Sequence, residues 1–232
     1  MKVPRNFASV ENFVYRSGYP TPANFPFLEQ LSLRTVVSLT PEEPSAQLLG
    51  FCAATHARSV HIPVERFADD VAMTPAVVTQ VLELIIQPES HPLLLHCLDG
   101  ENVVGMVVLC LRRLQNYALP AQVSEFCRFA CEGKLIDAER DFLDAFRDEV
   151  TIPAVVPQWL WRGERHQTHP TLMLQHAPGG EVGGGAADKW DSGAPEPVVR
   201  GRGGETAERL PWEQSSTLAA LDLAPTIARP TT

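Results

Sequence analysis

No apolar run in this sequence approaches the roughly 20 residues that a membrane-spanning helix needs; the longest apolar stretches are short and broken by charge. Met1-Lys2-Val3-Pro4 is not followed by an apolar segment of the signal-peptide kind, so no signal peptide is expected. Basic residues are in deficit, 19 against 28 acidic, for a formal net charge of −9, which argues against nucleic acid as a partner. The five cysteines are odd in number and irregular in spacing. That excludes a disulfide framework and suits reduced thiols in the cytoplasm. Cys127 and Cys131 stand one helical turn apart, but no second Cys or His pair completes a metal site. No metal or other cofactor is therefore expected, and the two cysteines read as buried small apolar groups.

What the chain does have, up to about residue 150, is an alternation of short strand and helix signals. Asn6–Val10 and Phe13–Arg16 suit two strands around a turn, followed by the Ser17-Gly18-Tyr19-Pro20 turn. A short helix is expected over Asn24–Leu31, a buried strand over Thr35–Leu39, a helix over Ser45–His56 and a strand over Ser59–Ile62. Thr74-Pro75 is a strong helix start, with Thr as N-cap and Pro at the first helical position; that helix ends before Pro88. Two more helices are expected over Pro120–Cys131 and Asp137–Arg147. Strands alternating with helices imply an α/β domain with a largely parallel central sheet.

The remainder differs. Residues 151–232 hold 10 of the 15 glycines and 9 of the 20 prolines. Residues 163–232 read as a low-complexity, disordered tail. Between the two, residues 151–162 carry Trp159 and Trp161 in one short apolar segment. It is expected either to strap onto the domain or to dock a partner, because two such rings are costly to leave in water.

The centre of the domain is Leu93–Leu114. Leu93-Leu94-Leu95 suits a buried strand, His96–Asn102 a tight polar loop around Gly100, and Val103 onward a helix. Strand, loop and helix aim backbone N–H groups and a helix N-terminus at an anion. A thiol at the mouth of such a nest, Cys97, is a candidate nucleophile. In an α/β sheet, ligands lie at the C-terminal ends of the strands, which is where Cys97 falls.

His96-Cys97-Leu98-Asp99-Gly100-Glu101-Asn102-Val103-Val104-Gly105 resembles the signature loop of the cysteine-dependent phosphatases, His-Cys-x-x-Gly-x-x-Arg-Ser/Thr-Gly. His96, Cys97, Gly100 and Gly105 match; Val103 stands in the arginine's place and Val104 in that of Ser/Thr. The likeness extends over about residues 4–148. Asn6-Phe7, Tyr15-Arg16-Ser17-Gly18-Tyr19-Pro20 and Asn24-Phe25-Pro26-Phe27-Leu28 resemble the plant and fungal atypical dual-specificity phosphatases, which include the fungal oxidant-induced cell-cycle-arrest proteins. The resemblance implies a dual-specificity phosphatase fold, a central mostly parallel sheet flanked by helices. It also implies a cytoplasmic location, no metal, phosphoproteins or inositol pyrophosphates as ligands, and assembly with related phosphatase-like subunits.

In an active loop of this kind the cysteine attacks phosphorus, and the arginine clamps two oxygens with its planar fork. Val103 offers neither donor nor charge. Asp99 and Glu101 add carboxylates beside the nest, where they repel a dianion and disfavour the Cys97 thiolate. Arg112 and Arg113 lie too far along the helix to substitute, which leaves Arg66 as the candidate replacement cation. Asp69 and Asp70 occupy the segment where a general acid is needed. Read on its own chemistry, His96 orients the loop by donating to backbone, and Gly100 and Gly105 meet steric demands of the turn and of a close helix–strand approach. The expected function is a phosphatase-like protein of impaired catalysis, acting as subunit or scaffold. The alternative is an active phosphatase using Cys97 on phosphotyrosine protein or inositol pyrophosphate.

Overall fold

Two strands with no solvent-facing side form the middle of the sheet. All six positions of one, Thr35–Thr40, and all four of the other, Leu93–His96, are buried, as strands covered on both faces must be. The structure, a computed structural model, describes residues 1–65, 73–130 and 132–177. Arg66, Asp69, Asp70 and Cys131, and the tail beyond residue 177, lie outside the described residues.

In chain order the elements are β1 (Ala8–Glu11), β2 (Val14–Ser17), α1 (Phe25–Leu28), β3 (Thr35–Thr40), α2 (Ala46–Ala54), β4 (Arg58–Pro63), α3 (Pro75–Ile85), β5 (Leu93–His96), α4 (Asn102–Leu114), α5 (Leu119–Cys127), α6 (Asp137–Ala145), β6 (Glu149–Ile152) and β7 (Met173–His176). The main sheet runs β1-β2-β5-β3-β4. β1 pairs antiparallel with β2, and the other pairings are parallel. The sheet is thus mixed but mostly parallel, with β5 at its centre. Among the described residues no helix is long and apolar enough to cross a membrane.

Alternation along the two central strands divides the core. Val37, Leu39, Leu93 and Leu95 join a cluster with α3, α4 and the C-terminal helices. Val36 and Leu94 point the other way, to Leu28, Leu48 and Phe51 of α1 and α2. Local signals explain the helix starts. Thr74 caps α3 by accepting from the Val77 N–H, with Pro75 behind it, and Ser45 caps α2 by accepting from Leu48. Every residue of α4 from Asn102 to Arg112 is buried, so this helix runs through the core rather than over it.

Three expectations need correction. α5 stops at Cys127 rather than Cys131. Gly105 is needed not for a helix–strand approach but for a helix–helix one: a Cβ there would lie 2.8 Å from Phe126 Cε2 on α5. Part of the segment read as tail forms a strand, since β7 pairs in parallel with β6 and joins Glu149↔Met173 through Ile152↔His176. The tryptophan segment packs on its own domain. Val156 and Leu160 are buried, and Trp161 Nε1 donates to the Leu114 carbonyl at the end of α4, 3.0 Å away.

Candidate active site

Cys97 leaves the sheet at the C-terminal end of β5, between β2 and β3, where His96 is level with Ser17 and Ser38. The loop from here to α4 has its carbonyls held from outside. The Tyr19 N–H donates to Leu98 O at 3.2 Å, and Asn6 Nδ2 to Asp99 O at 3.0 Å. Arg16 Nη2 donates to Gly100 O at 2.8 Å and to Glu101 O at 3.3 Å. With four successive carbonyls engaged by residues 6–19, the loop's amides turn inward, which is how an anion nest is made. Gly100 permits the turn. Its φ is +77°, and a Cβ would meet the Gly18 nitrogen at 2.4 Å.

The inward amides converge on the thiol. Gly100 N–H donates to Cys97 Sγ at 3.2 Å. Cys97 in turn donates to Asp99 Oδ1 at 3.3 Å, and the same oxygen accepts from the Glu101 N–H at 2.8 Å. Cys97 is only 2% exposed. Burial first, then the Asp99 charge, pushes its thiol up to about 11, against the opposing pull of the Val104 and Gly100 amides. At neutral pH the thiolate is then about one part in 10⁴. Alkylation of Cys97 by iodoacetamide, followed by mass spectrometry of its peptide, is expected to accelerate about tenfold per pH unit and to level off near pH 11. A plateau below pH 8 would mean that the loop stabilises a thiolate after all.

His96 is fully buried, and desolvation holds its imidazole down at about 4, so the ring is neutral. Nε2 lies 2.8 Å from Ser38 Oγ and Nδ1 lies 3.4 Å from Cys97 O. Since a carbonyl only accepts, Nδ1 carries the proton and the Ser38 hydroxyl donates to Nε2. The Tyr19 ring stands edge-on to the imidazole at 5.1 Å.

A cavity of about 300 Å³ opens over the thiol, lined by Leu39, Pro41, Val64, Glu65, Cys97, Leu98, Asp99 and Val103. Its described walls contain two carboxylates and no cation. Val103, 8% exposed, turns its apolar side chain to this cavity. Val104 is buried in the core.

Glu101 does not act as expected. It faces the N-terminal segment, ion-paired with Arg5 and within 3.4 Å of Asn6 Nδ2, so its charge is neutralised outside the nest. Asn102 points inward, donating from Nδ2 to Glu139 Oε1 of α6 at 2.7 Å. Arg112 is committed to Glu11 and Glu125, and Arg113 to Leu143 O and Thr171, so neither serves the loop. Asp69, Asp70 and Arg66 are outside the described residues. Among those described, no group of three or more His, Cys, Asp or Glu could hold a metal.

Arg16 is the site residue that motif spacing did not single out. It is 1% exposed and stacks over the Phe129 ring at 3.9 Å. Burial draws its guanidinium down to about 10, still protonated at neutral pH. The available signal was its place in the Tyr15-Arg16-Ser17-Gly18 run, which marks a shared residue without naming a role.

A cysteine at the C-terminal end of a central parallel strand, followed by an inward-facing amide loop and a buried helix, defines the cysteine-dependent phosphatase fold. Within it, the chain belongs to the tyrosine phosphatase family, whose sequence profile matches residues 2–165. It is 39% identical over 153 residues to the "Putative tyrosine-protein phosphatase OCA1" of Mycosarcoma maydis, spanning 65% of this chain and 96% of that protein. Inositol diphosphatase DSP4 of Arabidopsis thaliana is 32% identical over 144 residues, 62% of this chain and 72% of its own. The core catalytic domain of the PP-IP phosphatase SIW14 from S. cerevisiae, solved with citrate, superposes with a TM-score of 0.58. That match is 30% identical and covers 63% of this chain and 88% of that one.

Proposed function

We propose that this chain is a catalytically impaired, phosphatase-like protein of the cytoplasm that serves as a subunit or scaffold in an assembly of related phosphatase-like proteins. The observation that carries the reading is Val103. The place that in the signature loop holds the phosphate-clamping arginine is an apolar side chain on the wall of the cavity over Cys97. Loss of a charge-assisted bidentate contact is worth on the order of 3 kcal/mol, about 10²-fold in rate. The thiol is protonated at neutral pH, so nucleophile and clamp are lost together. The four described cysteines are free thiols, which suits a reducing compartment. Phosphotyrosine proteins and inositol pyrophosphates, the substrates for which relatives are named, are the ligand classes to test.

Phosphate release from an inositol pyrophosphate and from a phosphotyrosine peptide is expected to be the same for the unmodified chain and Cys97→Ser. Release that depends on Cys97 would overturn the impairment. Co-expression with tyrosine-phosphatase-family proteins of the same cell, followed by size-exclusion chromatography, tests the assembly. Elution of this chain alone in every pairing would remove the scaffold role.

A further inference from the structure

One amide of the 97–105 loop is already engaged by a carboxylate of the same loop. Asp99 Oδ1 takes the Glu101 N–H at 2.8 Å and the Cys97 thiol at 3.3 Å. An amide that would meet an incoming oxyanion is therefore bonded to the protein's own anion. Asn6 Nδ2 holds the Asp99 carbonyl at 3.0 Å while the Asp99 side chain bonds back to the loop.

A second observation stands apart from the loop's own hydrogen bonds. Arg16 sits behind the loop, 1% exposed, and presses Nη2 on the Gly100 and Glu101 carbonyls. Among the described residues its Nε and Nη1 have no hydrogen-bond partner and it makes no ion pair. A buried guanidinium without a bonded carboxylate is costly; the carboxylates acting on it at a distance are Glu125 and, more weakly, Asp99. A fixed positive charge thus remains behind the loop although the loop arginine's place has become Val103.

The geometry points to Asp99 as a tethered anion: its carboxylate fills the oxyanion cradle in place of a ligand and keeps the loop closed to phosphate-like dianions. The inference rests on the non-hydrolytic reading of this loop and goes beyond it. The loss of function is not only a missing arginine but an occupied site, and one substitution reopens it. A free dianion must either displace Asp99 or approach it closely. At about 4 Å, like charges near a protein surface repel strongly enough to suppress binding by well over tenfold.

The test uses the full chain and tungstate, a dianion that is bound but not hydrolysed, so the readout does not depend on whether Cys97 turns over any substrate. By isothermal titration calorimetry, Asp99→Ala is expected to bind tungstate at least about tenfold more tightly than the unmodified chain. Asp99→Asn keeps an oxygen for the Glu101 N–H while removing the charge, and is expected to gain less. If both variants keep the unmodified chain's circular dichroism and bind tungstate no more tightly, the tethered-anion assignment is wrong. Should Asp99→Ala fail to fold, Asp99→Asn decides alone, and an affinity equal to that of the unmodified chain overturns the assignment.

Discussion

Val103→Arg combined with Asp99→Asn is expected to raise Cys97-dependent hydrolysis of p-nitrophenyl phosphate about 10²-fold or more above the unmodified chain. The aryl leaving group departs without a proton donor, so the measurement does not need a general acid. Each substitution addresses a separate feature of the loop. An arginine at 103 begins on the wall of the cavity that also exposes Cys97, and the cavity's roughly 300 Å³ leaves room for its fork. Asp99→Asn removes the largest unfavourable charge acting on the thiol, which lowers the Cys97 pKa from its value of about 11 and raises the thiolate population. Glu101 does not need to be changed, because Arg5 and Asn6 already engage its carboxylate away from the nest. Adding Glu101→Gln is expected to alter the rate by no more than about threefold, the scale of a partly exposed pair. The gain must vanish in the Cys97→Ser version of the same variant. A double variant that remains at the Cys97→Ser level would show that the loop lacks more than its clamp and its free nest.

Much of this was readable from local pattern, and the failures share a cause. β3 and β5 were legible because they are short β-branched or apolar runs bounded by prolines, and α3 because Thr74-Pro75 is a start signal with its own chemistry. β6 and β7 were not. Each is four residues long with a weak alternation, and they pair across more than 20 residues of chain. The same limit applied at the site. Cys97, His96, Gly100 and Val103 stand at fixed spacings within one decamer, so their places followed from the loop itself. The direction of Glu101 is set by Arg5 and Asn6, some 95 residues upstream, and spacing within the loop carries no trace of them. Asp99 and Glu101 looked equivalent in sequence. One is in the nest and the other is outside it, because a single Gly100 at positive φ reverses the chain between them. Arg16 was hidden for another reason. A charged residue in the middle of a strand usually reads as solvent-facing, and only the pairing of β2 with β5 reveals that it is buried against the loop.

Gly100→Ala is expected to cost about 3 kcal/mol or more of folding stability, the largest stability effect anticipated for any substitution of so few atoms. Two penalties add. At φ +77° an alanine lies in the left-handed region, which disfavours a Cβ by about 1–2 kcal/mol. The Cβ would also lie 2.4 Å from Gly18 N and 2.6 Å from Ser17 C, both backbone atoms that cannot rotate away. Relief requires moving the end of β2, whose Ser17 is paired in register with His96. That movement would pull Arg16 from the Gly100 and Glu101 carbonyls and open the nest. Gly50→Ala is the matched control. It sits within α2 with nothing inside 4 Å of its Cβ, and is expected to stabilise by about 0.5–1 kcal/mol. Urea unfolding with an unchanged slope reads both differences. A loss under about 1 kcal/mol for Gly100→Ala would mean that the loop yields easily. A loop that yields could not hold the Asp99 carboxylate against the Glu101 amide, so the same measurement bears on whether the nest is rigid enough to be blocked from within.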